Sequence, residues 1–124
     1  MNILLDTHAL FWFLSGDKRL PNRTRSQIET ASRVFIPTIV LLELFYLIEK
    51  KNVGDKFTLV LQRLRTDERF TIVSLDIATV QVVTELPSNL EIHDRVILAS
   101  AKILGVPIVT KDQIIQQHFK NTMW

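Results

Sequence analysis

The sequence predicts an α/β domain: a mainly parallel central sheet of four to five strands held in a three-layer sandwich between helices. Three observations predict it. Short apolar runs alternate along the chain with longer stretches whose apolar positions recur every three or four residues, the pattern of strands feeding amphipathic helices. The junctions are punctuated by Gly16, Pro21, Pro37, Pro87 and Gly105, residues that begin or break regular structure. At 124 residues, 47% hydrophobic and 23% charged, the chain reads as one domain over residues 1–124, with material for a real core and none of the bias of a disordered segment.

Each element has its own signal. Asn2 to Leu5 is a short apolar strand that runs straight into Asp6-Thr7. From Thr7 to Leu14, Leu10, Phe13 and Leu14 recur at helical spacing until Gly16 supplies a stop. Pro21 opens a second helix through about Ala31, and Val34 to Ile36 is the second strand. Pro37-Thr38 starts a long helix to about Lys51, ended by Asn52 and Gly54. Phe57, Val60, Leu61 and Leu64 mark the next helix, before a strand over Phe70 to Val73. Asp76 caps a helix through Val83, and Pro87 to Asn89 is a loop. His93 or Asp94 begins an amphipathic helix with the inner face Ile97, Leu98, Ala101 and Leu104, closed by Gly105. Pro107 to Val109 is a strand, Lys111 to Phe119 the last helix, and Asn121 to Trp124 adds an edge strand.

Composition narrows the chemistry. Cysteine is absent, which removes disulfides and thiolate metal sites. The longest apolar stretch, Thr38 to Ile48, is too short to cross a bilayer and contains Glu43. Asp6 interrupts the first apolar run with no basic segment before it, so no signal peptide is expected, and a soluble, cytoplasmic protein is. A formal charge of +2 does not by itself announce a nucleic-acid binder. Several acids, however, fall at element ends or inside apolar runs.

Four of those acids should converge. Asp6 follows the first strand and Asp112 follows the strand ending at Val109, each in a position that also suits a helix cap. Ligands of open parallel sheets bind beyond the carboxyl ends of the strands, which is where both acids lie. Glu43 sits among Ile39, Val40, Tyr46 and Leu47, with no polar face to occupy. An unpaired carboxylate there costs several kcal/mol unless a cation meets it. Asp94 shares the inner stripe of its helix with Ile97, Leu98 and Ala101, while Arg95 and Lys102 take the outer face. Four carboxylates without a histidine pair form an all-oxygen set suited to Mg²⁺ or Mn²⁺. His8 and His118 read as surface or boundary residues, and His93 as the same, beside a candidate acid.

The segment Leu4-Leu5-Asp6-Thr7-His8-Ala9-Leu10-Phe11-Trp12 closely resembles the opening of PIN-domain ribonucleases, above all the VapC-type toxins of toxin–antitoxin pairs. The resemblance continues in order through Glu43, Asp94-Arg95 with Ile97-Leu98-Ala99-Ser100-Ala101, and Val109-Thr110-Lys111-Asp112. It implies a PIN-like α/β/α fold and a catalytic, metal-holding quartet of Asp6, Glu43, Asp94 and Asp112, supported by Thr7 and Thr110. The Trp-Glu-Ile form around the second acid and the Arg-Asp-Pro lead-in to the third, common among such toxins, are missing here.

The implied reaction is hydrolysis of RNA phosphodiester bonds by an endoribonuclease, with a divalent cation activating water and orienting the scissile phosphate. RNA would approach along a basic rim drawn from Lys18, Arg19, Arg95 and Lys111, with Arg23 and Arg25 beside them. The implied partners are RNA, a small antitoxin protein and a second copy in a homodimer, without a membrane. Phe11 and Trp12 face away from the Leu10–Phe13–Leu14 stripe, and either pack in the core or meet such a partner.

Two other functions compete. A phosphoacceptor receiver-like signalling domain has a similar length and alternation, with Asp76 as its acceptor and Lys111 as partner. It demands paired acids after the first strand, where Asp6 is followed by Thr7, and leaves Glu43 and Asp94 unexplained. A catalytically inactive PIN-like RNA-binding module is the other, although all four acids are present.

Overall fold

The computed structural model describes residues 1–51 and 56–124. In chain order the elements are β1 (Asn2–Leu5), α1 (Thr7–Ser15), α2 (Asn22–Thr30), β2 (Arg33–Pro37), α3 (Thr38–Lys50) and α4 (Lys56–Thr66). Then follow β3 (Phe70–Val73), α5 (Ile77–Thr84), α6 (Ile92–Leu104), β4 (Ile108–Val109), α7 (Gln113–His118) and β5 (Thr122–Met123). The expected stop at Asn52 and Gly54 lies outside the described residues.

The five strands pair in the order β3-β2-β1-β4-β5, every pair parallel. The chain therefore builds outward from β1 in one direction through β2 and β3, then crosses back to lay β4 and β5 on the other side. β1 and β4 flank the point where strand order reverses, and a crevice opens there beyond their carboxyl ends. In register, Leu5 lies opposite Val109, so the residues that follow these two leave the sheet side by side.

The strands are buried because both faces are covered. Ile3, Leu4, Leu5, Val34, Ile36, Ile108 and Val109 are fully inaccessible to solvent. α3 buries Val40, Leu44 and Ile48, one residue per turn, and α6 buries Ile97, Leu98 and Ala101. Gly16 and Gly105 close α1 and α6 in the left-handed conformation, φ 67° at each, where a side chain would be strained.

Several boundaries shift by a residue or two from expectation, and two of the shifts have a clear cause. α6 begins at Ile92, before His93 or Asp94, because the Glu91 side chain accepts the His93 and Asp94 amides and acts as its cap. α7 begins at Gln113, since Asp112 is itself the cap.

Candidate active site

Each candidate acid is placed by a local rule. Asp6 ends β1 and caps α1, its Oδ1 accepting the Ala9 amide at 2.9 Å. Asp112 caps α7, its Oδ1 accepting the Ile114 and Ile115 amides at 2.8 and 3.0 Å. Asp94 lies in the first turn of α6, where the helix N-terminus favours negative charge. Glu43 projects from the second turn of α3, and its Oε1 accepts the Thr7 hydroxyl at 2.8 Å.

These four segments meet at the reversal point of the sheet. Asp6, Glu43, Asp94 and Asp112 line one cleft of about 690 Å³, together with Thr7, His8, His93 and Lys111. Its remaining wall is apolar, including Ile39, Leu42, Phe45 and Tyr46 of α3. Glu43 forms no ion pair among the described residues.

The electrostatics carry the mark of crowded carboxylates. Burial lifts the Asp6 carboxyl from 3.8 to about 6, with the Asp112 and Asp94 charges adding to the rise. The Thr110 side chain and the Ala9 amide pull it back in part. Asp94 is also lifted to about 6, by burial first and then by Asp112, Glu91 and Glu43. The cleft thus holds negative charge in a half-closed space with too little protein counter-charge to stabilise it.

Oxygen donors in this arrangement fit a hard divalent cation, and no thiolate or histidine pair competes. The carboxylates share the cleft without meeting at one point. Among the described residues, no three His, Asp or Glu side chains stand as a preformed ligand cluster.

Both threonines support acids. Thr7 is buried and fixes Glu43, while Thr110 is fully buried, accepts the Asp112 amide at 3.0 Å and stands beside Asp6. The basic candidates divide. Lys111 lines the cleft, and Arg19 lies close enough to act on the charge of His8 within it. Lys18 and Arg23 are exposed and line no cleft described here. Arg25 is committed elsewhere: its guanidinium donates to the carbonyls of Trp12, Phe13 and Asp17, closing the end of α1.

Arg95 does not take the outer, solvated face expected of it. It is partly buried with its Nε shielded from water, and does not line the cleft. Trp12 resolves as core, 3% exposed, and Phe11 is partly buried against the same core. His8, read from the sequence as a surface or boundary residue, lines the cleft two residues after Asp6, and Lys51, set on Phe11 by the packing of α3 against α1, lines a second cleft with Arg19.

Asp76 is a cap, accepting the Thr79 amide and hydroxyl. It lies outside the cleft, which removes the acceptor residue a receiver domain needs.

A parallel α/β sandwich with a carboxylate-lined cleft at its reversal point defines a class of acid-site proteins. The PIN domain family model matches residues 3–120, and the chain belongs to that family. It is similar to Ribonuclease VapC22 of Mycobacterium tuberculosis, 29% identical over 120 residues that cover 94% of this chain and 91% of the relative.

Among solved structures, the fold is similar to a toxin–antitoxin complex from Klebsiella pneumoniae. The TM-score is 0.74 at 18% identity, covering 98% of this chain and 96% of that one. It is also similar to VapC20 of Mycobacterium tuberculosis, described as a sarcin-ricin loop cleaving toxin, with TM-score 0.72 and 16% identity over 93% of each chain.

Proposed function

We propose that this protein is a divalent-cation-dependent endoribonuclease that hydrolyses RNA phosphodiester bonds, the toxin of a toxin–antitoxin pair. One observation carries the reading: Asp6, Glu43, Asp94 and Asp112, from four separate segments, line a single cleft at the carboxyl edge of the sheet. The VapC22 relative is named a ribonuclease, and the fold is similar to that of toxins in complex with antitoxins. A small antitoxin protein and a homodimeric state are part of the proposal, as is a cytoplasmic setting. No helix among the described residues is long and apolar enough to cross a membrane.

In this reading Asp6, Glu43 and Asp94 hold Mg²⁺ or Mn²⁺, and Asp112 holds it or completes the negative field. The bound ion supplies Lewis-acid activation of water and stabilises charge developing on the phosphate. The chain supplies position. The Ala9 amide fixes the Asp6 carboxyl, the Thr7 hydroxyl fixes Glu43, and the two amides of α7 fix Asp112. These contacts orient three of the four carboxyl groups before an ion draws them together. Lys111, Arg19, Lys18 and Arg95 are the contacts to RNA in this reading, and of these Lys111 lines the cleft.

Purified protein should cleave RNA in Mg²⁺ or Mn²⁺ and stop in EDTA, and Asp6→Asn should remove the activity. Cleavage that survives both treatments would mean that another group, or a contaminant, does the chemistry.

A further inference from the structure

Beside the carboxylates, α1 carries a second ordered group of opposite sign. Lys51, at the end of α3, places its Nζ 4.6 Å from the centre of the Phe11 ring. Arg19 lies with its guanidinium carbon 4.7 Å from the centre of Trp12, and Lys111 Nζ lies 4.6 Å from the same ring. The His8 ring packs on Trp12 as well, at 5.4 Å. Three cations from three separate segments are thus seated on two neighbouring aromatic side chains of one helix.

Packing alone is a poor reason for that arrangement. A cation seated on a ring gains little, and gathering three like charges along one helix works against it. Arg19 is engaged by Asp17 through both Nε and Nη2. Lys51 and Lys111 have no carboxylate ion pair among the described residues. Lys111 lines the same cleft as the acids, and Arg19, which shares the Trp12 ring with it, lines a second cleft with Phe11 and Lys51.

We propose that Lys51, Arg19 and Lys111 form a built phosphate subsite for the RNA backbone, flanking the position where the bond is cut. The inference rests on the ribonuclease reading and deepens it. An acid cleft repels a polyanion, so substrate must be held by phosphates adjacent to the reacting one, and the aromatic seats keep these cations ordered before RNA arrives. It adds Lys51 to the basic rim beside Arg19 and Lys111.

The test measures binding in EDTA, where no bond is cut, by fluorescence anisotropy of a short labelled single-stranded RNA across a salt series. Each phosphate contact on a single strand contributes a slope of about −0.7 in log K against log salt. A combined Lys51→Gln, Arg19→Gln and Lys111→Gln variant should therefore lose about 2 from the slope and, with affinities converging near 1 M, bind roughly 100-fold more weakly near 0.1 M salt. A matched variant lacking Arg65, Lys102 and Lys120, exposed cations that line neither described cleft, should keep the wild-type slope. Lys51→Arg with Lys111→Arg should keep it too, which separates charge from misfolding.

An unchanged slope in the first variant, or an equal loss in the matched one, overturns the subsite. Cleavage by the wild-type protein in Mn²⁺ is scored separately. If RNA is cut but the slope is unaltered, the subsite falls and the nuclease stands. If the slope is lost as expected but nothing is cut, the subsite stands and the nuclease reading falls.

Discussion

Replacing Asp6 by Asn should make the metal-free protein more stable while removing its activity. The Asp6 carboxyl is 7% exposed and is lifted from 3.8 to about 6, chiefly by burial. A rise of that size makes the ionised form about 3 kcal/mol less favourable in the fold than in the unfolded chain. Asparagine is an equally good cap and retains an oxygen for the Ala9 amide, so the end of α1 survives. Its weaker, uncharged hydrogen bond returns about 1 kcal/mol of the gain. The expected net effect near pH 7.5 is about 1–2 kcal/mol, or roughly 4–8 °C in melting temperature for a domain of this size.

The pH dependence makes the prediction specific. Because the folded carboxyl titrates above the unfolded one, the penalty is present above about pH 6 and fades as pH falls toward 3.8. Thermal melts in EDTA should therefore separate wild type from Asp6→Asn most at pH 7.5, less at pH 5, and not in this sense near pH 4. Added Mn²⁺ should raise the wild-type melting temperature and move the variant much less. A variant less stable than wild type at pH 7.5, or a difference that ignores pH, would refute the claim that Asp6 is a strained buried charge.

Three further outcomes follow from the same geometry. Thr7→Val deletes the hydroxyl that holds Glu43 and should lower kcat by roughly tenfold or more by freeing that carboxylate, with Thr7→Ser restoring it; equal rates in Thr7→Val would remove the positioning role. Mn²⁺ affinity, read by calorimetry, should weaken at least roughly tenfold between pH 7 and pH 5, since Asp6 and Asp94 both take up protons near 6 and the ion must displace them; an affinity flat with pH would place the ion elsewhere. Asp76→Ala should cost about 1 kcal/mol of stability through the lost cap of α5 and leave RNA cleavage intact, so a fall in kcat without a fall in melting temperature would show that Asp76 does more than cap.

The strand ends were the most legible part of this protein. Asp6 and Asp112 could be read as rim residues because an apolar run stops at each and turn or helix chemistry follows. Glu43 lines the cleft with them, on a helix whose surroundings differ from what its apolar neighbours suggest. The helix does expose a face, and that face is apolar: Leu42 and Tyr46 are 63% and 57% exposed. Periodicity reports which residues share a face and is silent on whether anything covers it.

Arginines were the least legible. Arg25 and Arg95 look like solvated charges in sequence, yet one closes the carbonyl end of α1 and the other is half-withdrawn from water. A guanidinium on a long apolar stem adapts to tertiary surroundings that no local pattern encodes. Lys51 was invisible for the same reason, since its neighbour Phe11 lies forty residues earlier in the chain.

The choice between a capping role and a catalytic one turns out to be a false alternative for these acids. Asp6 and Asp112 each spend Oδ1 on helix amides, and Asp94 sits over the N-terminus of α6. A carboxylate has a second oxygen, so a cap can still face the cleft. The helix ends also supply positive potential where the carboxylates repel one another most. That contribution is why a metal-free cleft can hold these charges in a folded chain at all. It follows that a substitution which removes the charge and keeps the cap, such as Asp6→Asn, separates the two roles, whereas an alanine at the same position destroys both and says little about either.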